Sequence, residues 1–178
     1  MFQTLSRLPQ SRNWWLFLLV FCVALEVAAL YYQYVLDYLP CVLCIHVRIL
    51  LVGIALLSIV ALAACRFRPA ALILSIAVLG LWVWMAERSY MLLGTERGWI
   101  IMGECSMESG LPSWFAPDRW FPALFHIHEP CGYTPYVIGK ISMAEVLMVI
   151  GVLMCCIVLA GIGFNLLGAS NQPESDNF

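Results

Sequence analysis

The chain has 178 residues, of which 63% are hydrophobic and only 11% are charged. Soluble domains are nearer about 45–50% apolar and about 25% charged. The composition therefore excludes an ordinary soluble domain and predicts an integral membrane protein in a lipid bilayer. The formal net charge of −2 gives no support for nucleic-acid binding.

Four apolar runs are long enough to cross a bilayer as helices. The first, at about 14–34, would span about 30 Å at about 1.5 Å per residue. The alternative interpretation of this run is a cleaved signal peptide. The run is longer than the apolar core of such a peptide, which has about 7–15 residues. We predict an all-α membrane protein, a four-transmembrane-helix bundle forming a single domain over residues 1–178, with spans at about 14–34, 44–64, 70–87 and 142–166.

Basic residues in the short flanks predict the orientation of the bundle. Four arginines lie on one side within about eighteen residues, whereas the other side has four basic residues in more than about fifty. The positive-inside rule then predicts that both termini are cytoplasmic, with segments 1–13, 65–69 and 167–178 on that side. The outer loops are predicted at about 35–43 and 89–141.

The eight cysteines separate by compartment. Half of them lie inside spans or at the cytoplasmic turn, where we expect small apolar packing residues: Cys22, Cys65, Cys155 and Cys156. The other half lie beside or within the outer loops, on the oxidising side: Cys41, Cys44, Cys105 and Cys131.

Two of the outer cysteines form the motif Cys41-Val-Leu-Cys44, where the first outer loop meets the second span. In a helical turn such residues share one face, with Cβ atoms about 5–6 Å apart. A small local movement that brings the two cysteine side chains closer together then allows a disulfide. Arg48 follows one turn later. Because a positive charge and a helix N-terminus both stabilise a thiolate, we predict a reactive, redox-active pair.

The second outer pair brackets an aromatic stretch. Residues 111–125 hold five aromatic side chains interleaved with three prolines. The prolines exclude a long regular helix, and the aromatics suit the membrane–water interface. We predict a short amphipathic segment lying flat on the outer surface. A compact cap packed on its own aromatics is the alternative.

Two cysteine pairs on one face of a membrane predict dithiol–disulfide exchange, in which a thiolate attacks a disulfide sulfur directly. A pair in a long loop can meet an outside partner, and the pair at the helix end must then pass its electrons on. The sequence holds no flavin or nicotinamide fingerprint. We therefore expect a lipid-soluble acceptor beside Cys44 and Arg48, where Arg48 polarises its carbonyl oxygen.

The spaced set Cys41-x-x-Cys44-x-x-x-Arg48, four spans and the outer pair Cys105 and Cys131 resemble the DsbB family of bacterial inner-membrane disulfide-forming proteins. The resemblance extends from the first span to the fourth. It implies an inner-membrane enzyme with periplasmic active cysteines. It also implies a thiol:quinone oxidoreductase activity, a membrane quinone (ubiquinone or menaquinone) as acceptor and a DsbA-like periplasmic thiol oxidase as partner.

The resemblance also implies a route for the electrons. The reduced partner would attack a Cys105–Cys131 disulfide at Cys105, and Cys131 would then exchange with Cys41. Cys44 would become the thiolate that engages the quinone beside Arg48.

Two further positions bear on the quinone site. Gln33 matches the family pattern and is expected to line it. His46 and Val47 differ from the Tyr-Glu of the best-known member, which leaves the polar contacts open beyond Arg48.

Other interpretations stay open. Cys41, Cys44 and Cys131 with His126 or His128 could bind zinc or copper. The outer disulfides could be inert staples, although a bridge between positions i and i+3 closes almost no loop. Electrons could also run the other way, as in quinone-linked thiol reductases of the vitamin K epoxide reductase type. Within the first span, Glu26 is either a functional carboxyl or a hydrogen-bonded packing residue.

Overall fold

The computed structural model describes residues 11–100, 120–125 and 135–170 of the chain. Five helices and one small hairpin make up this part of the structure. In chain order they are α1 (Arg12–Tyr34), α2 (Val42–Ala64), α3 (Arg68–Glu96), α4 (Pro122–Phe125), β1 (Tyr136–Ile138), β2 (Ile141–Ser142) and α5 (Met143–Ser170).

Four of these helices are long and apolar enough to cross a membrane: α1, α2, α3 and residues Met143–Leu167 of α5. The predicted fold class, a four-helix membrane protein, is confirmed. The predicted site residues Cys105 and Cys131, the two loop histidines and residues 111–119 of the aromatic stretch lie outside the described residues.

Helices pack in a row, with α1 against α2, α2 against α3, and α3 against α5. Their facing sides form one apolar core that includes Trp15, Ile54, Trp82 and Met154. At Gly151, an added Cβ would lie 3.1 Å from the Cα of Ala86, so the glycine allows α5 and α3 to approach closely. Over the described residues, α1 and α5 make no comparably extensive contact.

Helix α3 continues beyond its predicted span, which ended at about residue 87, so the first residues of the predicted outer loop are helical. The helix ends only where Gly98 adopts a φ of +71°. There Trp99 N–H donates to Gly94 O (2.8 Å) and Gly98 N–H donates to Thr95 O (3.2 Å), the pattern of a Schellman motif. Hydropathy locates the membrane-spanning part of a helix, whereas capping chemistry sets where the helix itself ends.

The cysteines predicted as packing residues have different surroundings. Cys22 and Cys65 lie in the core, and Cys155 packs against it partly buried. Cys156, in contrast, is exposed on the outside of the bundle.

A capping box starts α5. Ser142 N–H donates to Glu145 Oε2 (3.2 Å), and Glu145 N–H donates to Ser142 Oγ (3.4 Å). The other oxygen of Glu145 accepts a hydrogen bond from Arg97, directly after α3. One carboxylate therefore both caps α5 and ties the outer ends of α3 and α5 together.

We expect Glu145→Ala to lower the free energy of unfolding by about 1–2 kcal/mol, because the cap and the ion pair are lost together. Glu145→Gln keeps a capping-box acceptor and loses only the charge, so it should cost less than about 1 kcal/mol. Denaturant unfolding in detergent, followed by circular dichroism, measures both variants. Equal stability of the alanine variant and the wild type would contradict this role for Glu145.

Candidate functional site

Cys41 and Cys44 lie at the first turn of α2. Cys41 is the N-cap residue, with extended backbone angles after Pro40, and its sulfur accepts a hydrogen bond from the N–H of Cys44 at 3.4 Å. The two sulfur atoms are 2.6 Å apart. The turn therefore holds the sulfurs close enough for a disulfide to form with little movement, and it directs the N–H of Cys44 towards the Cys41 sulfur.

The two sulfurs have different surroundings. Cys41 is only 2% exposed and packs with Leu43, with Leu92 of α3 and with Ala144 of α5. Cys44 is partly exposed and faces a cavity. A molecule in the cavity therefore meets Cys44, whereas Cys41 is enclosed by the outer ends of α3 and α5.

Arg48 lies one turn after Cys44 and is only 6% exposed. Its Nη1 donates to Gln33 Oε1 (2.6 Å) and to the carbonyl of Leu124 (3.0 Å), and its Nη2 donates to the carbonyl of Ala29 (2.9 Å). It also interacts electrostatically with Cys44. The acceptors hold a buried cation in one position beside the reactive pair.

The carbonyl of Leu124 belongs to α4, a short helix in the long outer loop. The next residue, Phe125, is buried against Val42 and Ile45 of α2. Trp120 and Phe121 are exposed. This end of the loop is therefore docked on α2 next to Arg48, and the flat interfacial segment over 111–125 stays a prediction.

Glu26 lies on the face of α1 that also carries Ala29 and Gln33, at positions i+3 and i+7. It interacts electrostatically with Arg48. One of its carboxyl oxygens is buried and has no hydrogen-bond partner among the described residues. Glu26 thus places an acidic group deeper in the bundle than the guanidinium and on the same side of α1.

A cavity of about 230 Å³ fills the space between α1 and α5, with α2 as its floor. Tyr32, Tyr38, Cys44 and Arg48 line its outer end. The inner end is wholly aliphatic, with Leu25, Leu51 and Ile150. Because an apolar cavity of about 150 Å³ can hold benzene, this one can hold a six-membered ring with small substituents.

The cavity opens to the outside of the bundle. On both walls the lining side chains are partly or fully exposed, including Leu25 and Ala28 of α1 and Val146 and Leu147 of α5. In a bilayer this outside surface faces lipid, so an apolar molecule can enter sideways from the membrane.

The structure brings four of the six predicted site residues together: Cys41, Cys44, Arg48 and Gln33. Gln33 holds Arg48 and is not among the described residues that line the cavity. The backbone carbonyls of Ala29 and Leu124 were missed, since a carbonyl leaves no signal in a sequence. Tyr32 and Tyr38 were missed as well, although the group of tyrosines just before the cysteine motif was a usable signal.

Fold and site together define a multi-pass membrane protein with a close cysteine pair, one member of which lines a cavity open to lipid. The family model for "Disulfide bond formation protein DsbB" matches residues 11–161. The chain therefore belongs to the DsbB family.

Individual relatives agree with the family match. A protein from Shewanella denitrificans, named disulfide bond formation protein B, is 31% identical over 140 residues, covering 76% of this chain and 78% of its own. Proteins of the same name from Shewanella sp. strain MR-4 and Yersinia pestis are 28% and 29% identical. They cover 95% and 90% of this chain, and 96% and 89% of their own lengths. The resemblance to the DsbB family is thereby confirmed.

We expect Gln33→Met to lower the free energy of unfolding by about 1–3 kcal/mol, because a buried guanidinium donor would lose its acceptor at nearly constant side-chain volume. Val27→Met, at an exposed position of the same helix, is the matched control and should change stability little. Denaturant unfolding in detergent compares the two. If the two variants unfold alike, Gln33 does not hold Arg48.

Proposed function

We propose that this protein is a thiol:quinone oxidoreductase that reoxidises a DsbA-like dithiol oxidase and so sustains disulfide formation. The observation that carries the proposal is that Cys44 and Arg48 line one apolar cavity open to the lipid side of the bundle. A reactive sulfur and a fixed cation at the outer end of a lipid-accessible cavity fit an apolar acceptor that gains negative charge.

The chemistry of the proposal is a two-electron oxidation. A bound quinone would accept the two electrons and two protons that Cys41 and Cys44 lose when their thiols become a disulfide. Cys44 is the sulfur that faces the cavity, and the N–H groups at the start of α2 stabilise negative charge at Cys41. Arg48, held by Gln33 and two carbonyls, keeps positive charge where negative charge develops.

The other half of the proposed reaction concerns Cys105 and Cys131. By resemblance to the family, their disulfide is reduced by the partner at Cys105, and Cys131 then exchanges with Cys41. The printed name of the relatives, disulfide bond formation protein B, supports the oxidising direction over the reductase direction.

We further propose that the protein lies in the bacterial inner membrane with the cysteine motif facing the periplasm. Arg66 lies in the turn between α2 and α3, and Arg68 and Arg12 begin α3 and α1 at the same end of the bundle. The positive-inside rule favours the cytoplasm for that end. Cys41 and Cys44 then lie on the oxidising side, where a disulfide persists.

We expect Cys44→Ser to reduce quinone turnover to background, because a serine hydroxyl cannot form the second half of the disulfide. A mixed disulfide between Cys105 and a DsbA-like partner should still form, since Cys44 takes no part in that step. Stopped-flow mixing with reduced partner and ubiquinone, followed at the quinone absorbance, measures turnover. Cys156→Ser, an exposed cysteine of α5, should behave as wild type. Normal turnover by Cys44→Ser would show that Cys44 is not the terminal donor.

We expect Arg48→Lys to raise KM for quinone about tenfold, because an ammonium group cannot reproduce a guanidinium held by several acceptors. The rate at which the reduced partner is oxidised in a single turnover should change little. Arg88 of α3 pairs with Glu87 and does not line the cavity as described. Arg88→Lys is therefore the control for an arginine-to-lysine change outside the site. An unchanged KM for quinone in Arg48→Lys would show that Arg48 stabilises the structure and does not contribute to quinone binding.

A further inference from the structure

Two tyrosines lie at the outer end of the cavity. Tyr32 is in the last turn of α1 and Tyr38 is in the connector to α2, and their ring centroids are 6.2 Å apart with an angle of 43° between the planes. Both line the cavity, and all other described lining residues are non-aromatic. The pair therefore provides the aromatic surface that the described cavity wall offers to a ligand.

The backbone folds Tyr38 back against Tyr32. After α1 the chain reverses at Asp37, which has a φ of +55°, a left-handed conformation that aspartate tolerates better than most residues. Tyr38 N–H then donates to the carbonyl of Tyr32 at 3.1 Å. The distance between the two rings is thus set by a backbone hydrogen bond as well as by side-chain packing.

The tyrosines occupy the end of the cavity where the chemistry would take place. Tyr32, Cys44 and Arg48 all lie towards the outer ends of their helices, and only aliphatic side chains line the other end. A ligand with a flat polar ring and an apolar chain would therefore place its ring beside the tyrosines. The chain would follow the aliphatic wall inwards.

We propose that Tyr32 and Tyr38 form an aromatic clip that holds the quinone ring next to Cys44 and Arg48. This inference rests on the proposed function and assigns the groups that recognise the ring. A quinone ring is poor in electrons and a phenol ring is rich in them, so offset stacking is favourable. Two planes tilted by 43° let one ring contact the ligand face while the other contacts its edge.

Membrane-interface anchoring is the ordinary explanation for tyrosines at this depth. It fits Tyr31 and Tyr34, which are exposed and absent from the cavity lining as described. Tyr38 is also exposed, at 37%, so exposure does not separate the two pairs. Tyr32 and Tyr38 differ because both line the cavity, and Tyr38 belongs to a connector folded towards it. The distinguishing property of a clip is that it recognises the ring and not the apolar chain.

The test compares two electron acceptors with the same ubiquinone ring, one with a decyl chain and one without a chain. We expect Tyr38→Leu and Tyr32→Leu each to raise KM about fivefold for both acceptors, because only ring contacts are lost.

Three further variants serve as controls. Tyr38→Phe keeps the aromatic ring, so its KM should stay near the wild-type value. Leu25→Ala, at the inner end of the cavity, should raise KM only for the decyl compound. Tyr90→Leu, exposed on α3, is the matched control.

A photoreactive azidoquinone provides a readout without turnover. We expect mass spectrometry to find its label on the peptide carrying Tyr32 and Tyr38, with labelling lost in Tyr38→Leu.

If the wild type neither binds nor reduces quinone, the proposed function fails and the clip fails with it. If the wild type reduces both acceptors and the leucine variants match it, only the clip is overturned. The clip is also overturned if these variants affect the decyl compound alone.

Discussion

The hydrogen bonds of the buried Arg48 guanidinium are the interaction on which the rest of the structure depends. A buried cation within a membrane bundle is costly unless several acceptors surround it. Its acceptors come from α1, through Gln33 and Ala29, and from α4, through Leu124. One side chain of α2 therefore determines where α1 and the end of the outer loop lie. Each of these acceptors therefore connects the packing of the helices with the geometry of the site.

The cavity follows from this arrangement. Helix α1 is held against α2 by Arg48, and α5 is held against α3 by the close contact at Gly151 and by the hydrogen bond from Arg97 to Glu145. With both outer helices fixed to inner ones, α1 and α5 need not meet. The space between them becomes a cavity open to lipid, with Cys44 and Arg48 in its floor. The same contacts that stabilise the bundle thus create access for an apolar molecule from the lipid side.

Much of this was predictable because hydropathy and cysteine spacing are local signals. Four apolar runs located the helices, and Cys41, Cys44 and Arg48 fall on one face because helical periodicity requires it. What could not be predicted depends on long-range placement. The continuation of α3 to Glu96 is set by a cap at Gly98 rather than by hydropathy. The carbonyls of Ala29 and Leu124 are backbone atoms, and the approach of Tyr38 to Tyr32 requires a reversal at Asp37 that no periodicity indicates.

The different surroundings of the two sulfurs suit a division of labour between them. Cys44 faces the cavity that Arg48 also lines, so in the proposed reaction charge that leaves Cys44 moves towards the cavity. Cys41 is enclosed by Leu92 of α3 and Ala144 of α5, so these outer helix ends shield it from an attacking thiolate. Arg97 and Glu145 join those two helix ends. Arg97 follows Leu92 by five residues, Glu145 directly follows Ala144, and both side chains are partly exposed. In the proposed reaction, the enclosure of Cys41 keeps stray thiols away from the pair, while the open side of Cys44 admits the acceptor. Cys41 can then react with the attacking thiolate and Cys44 with the acceptor, without contact between these two reaction partners.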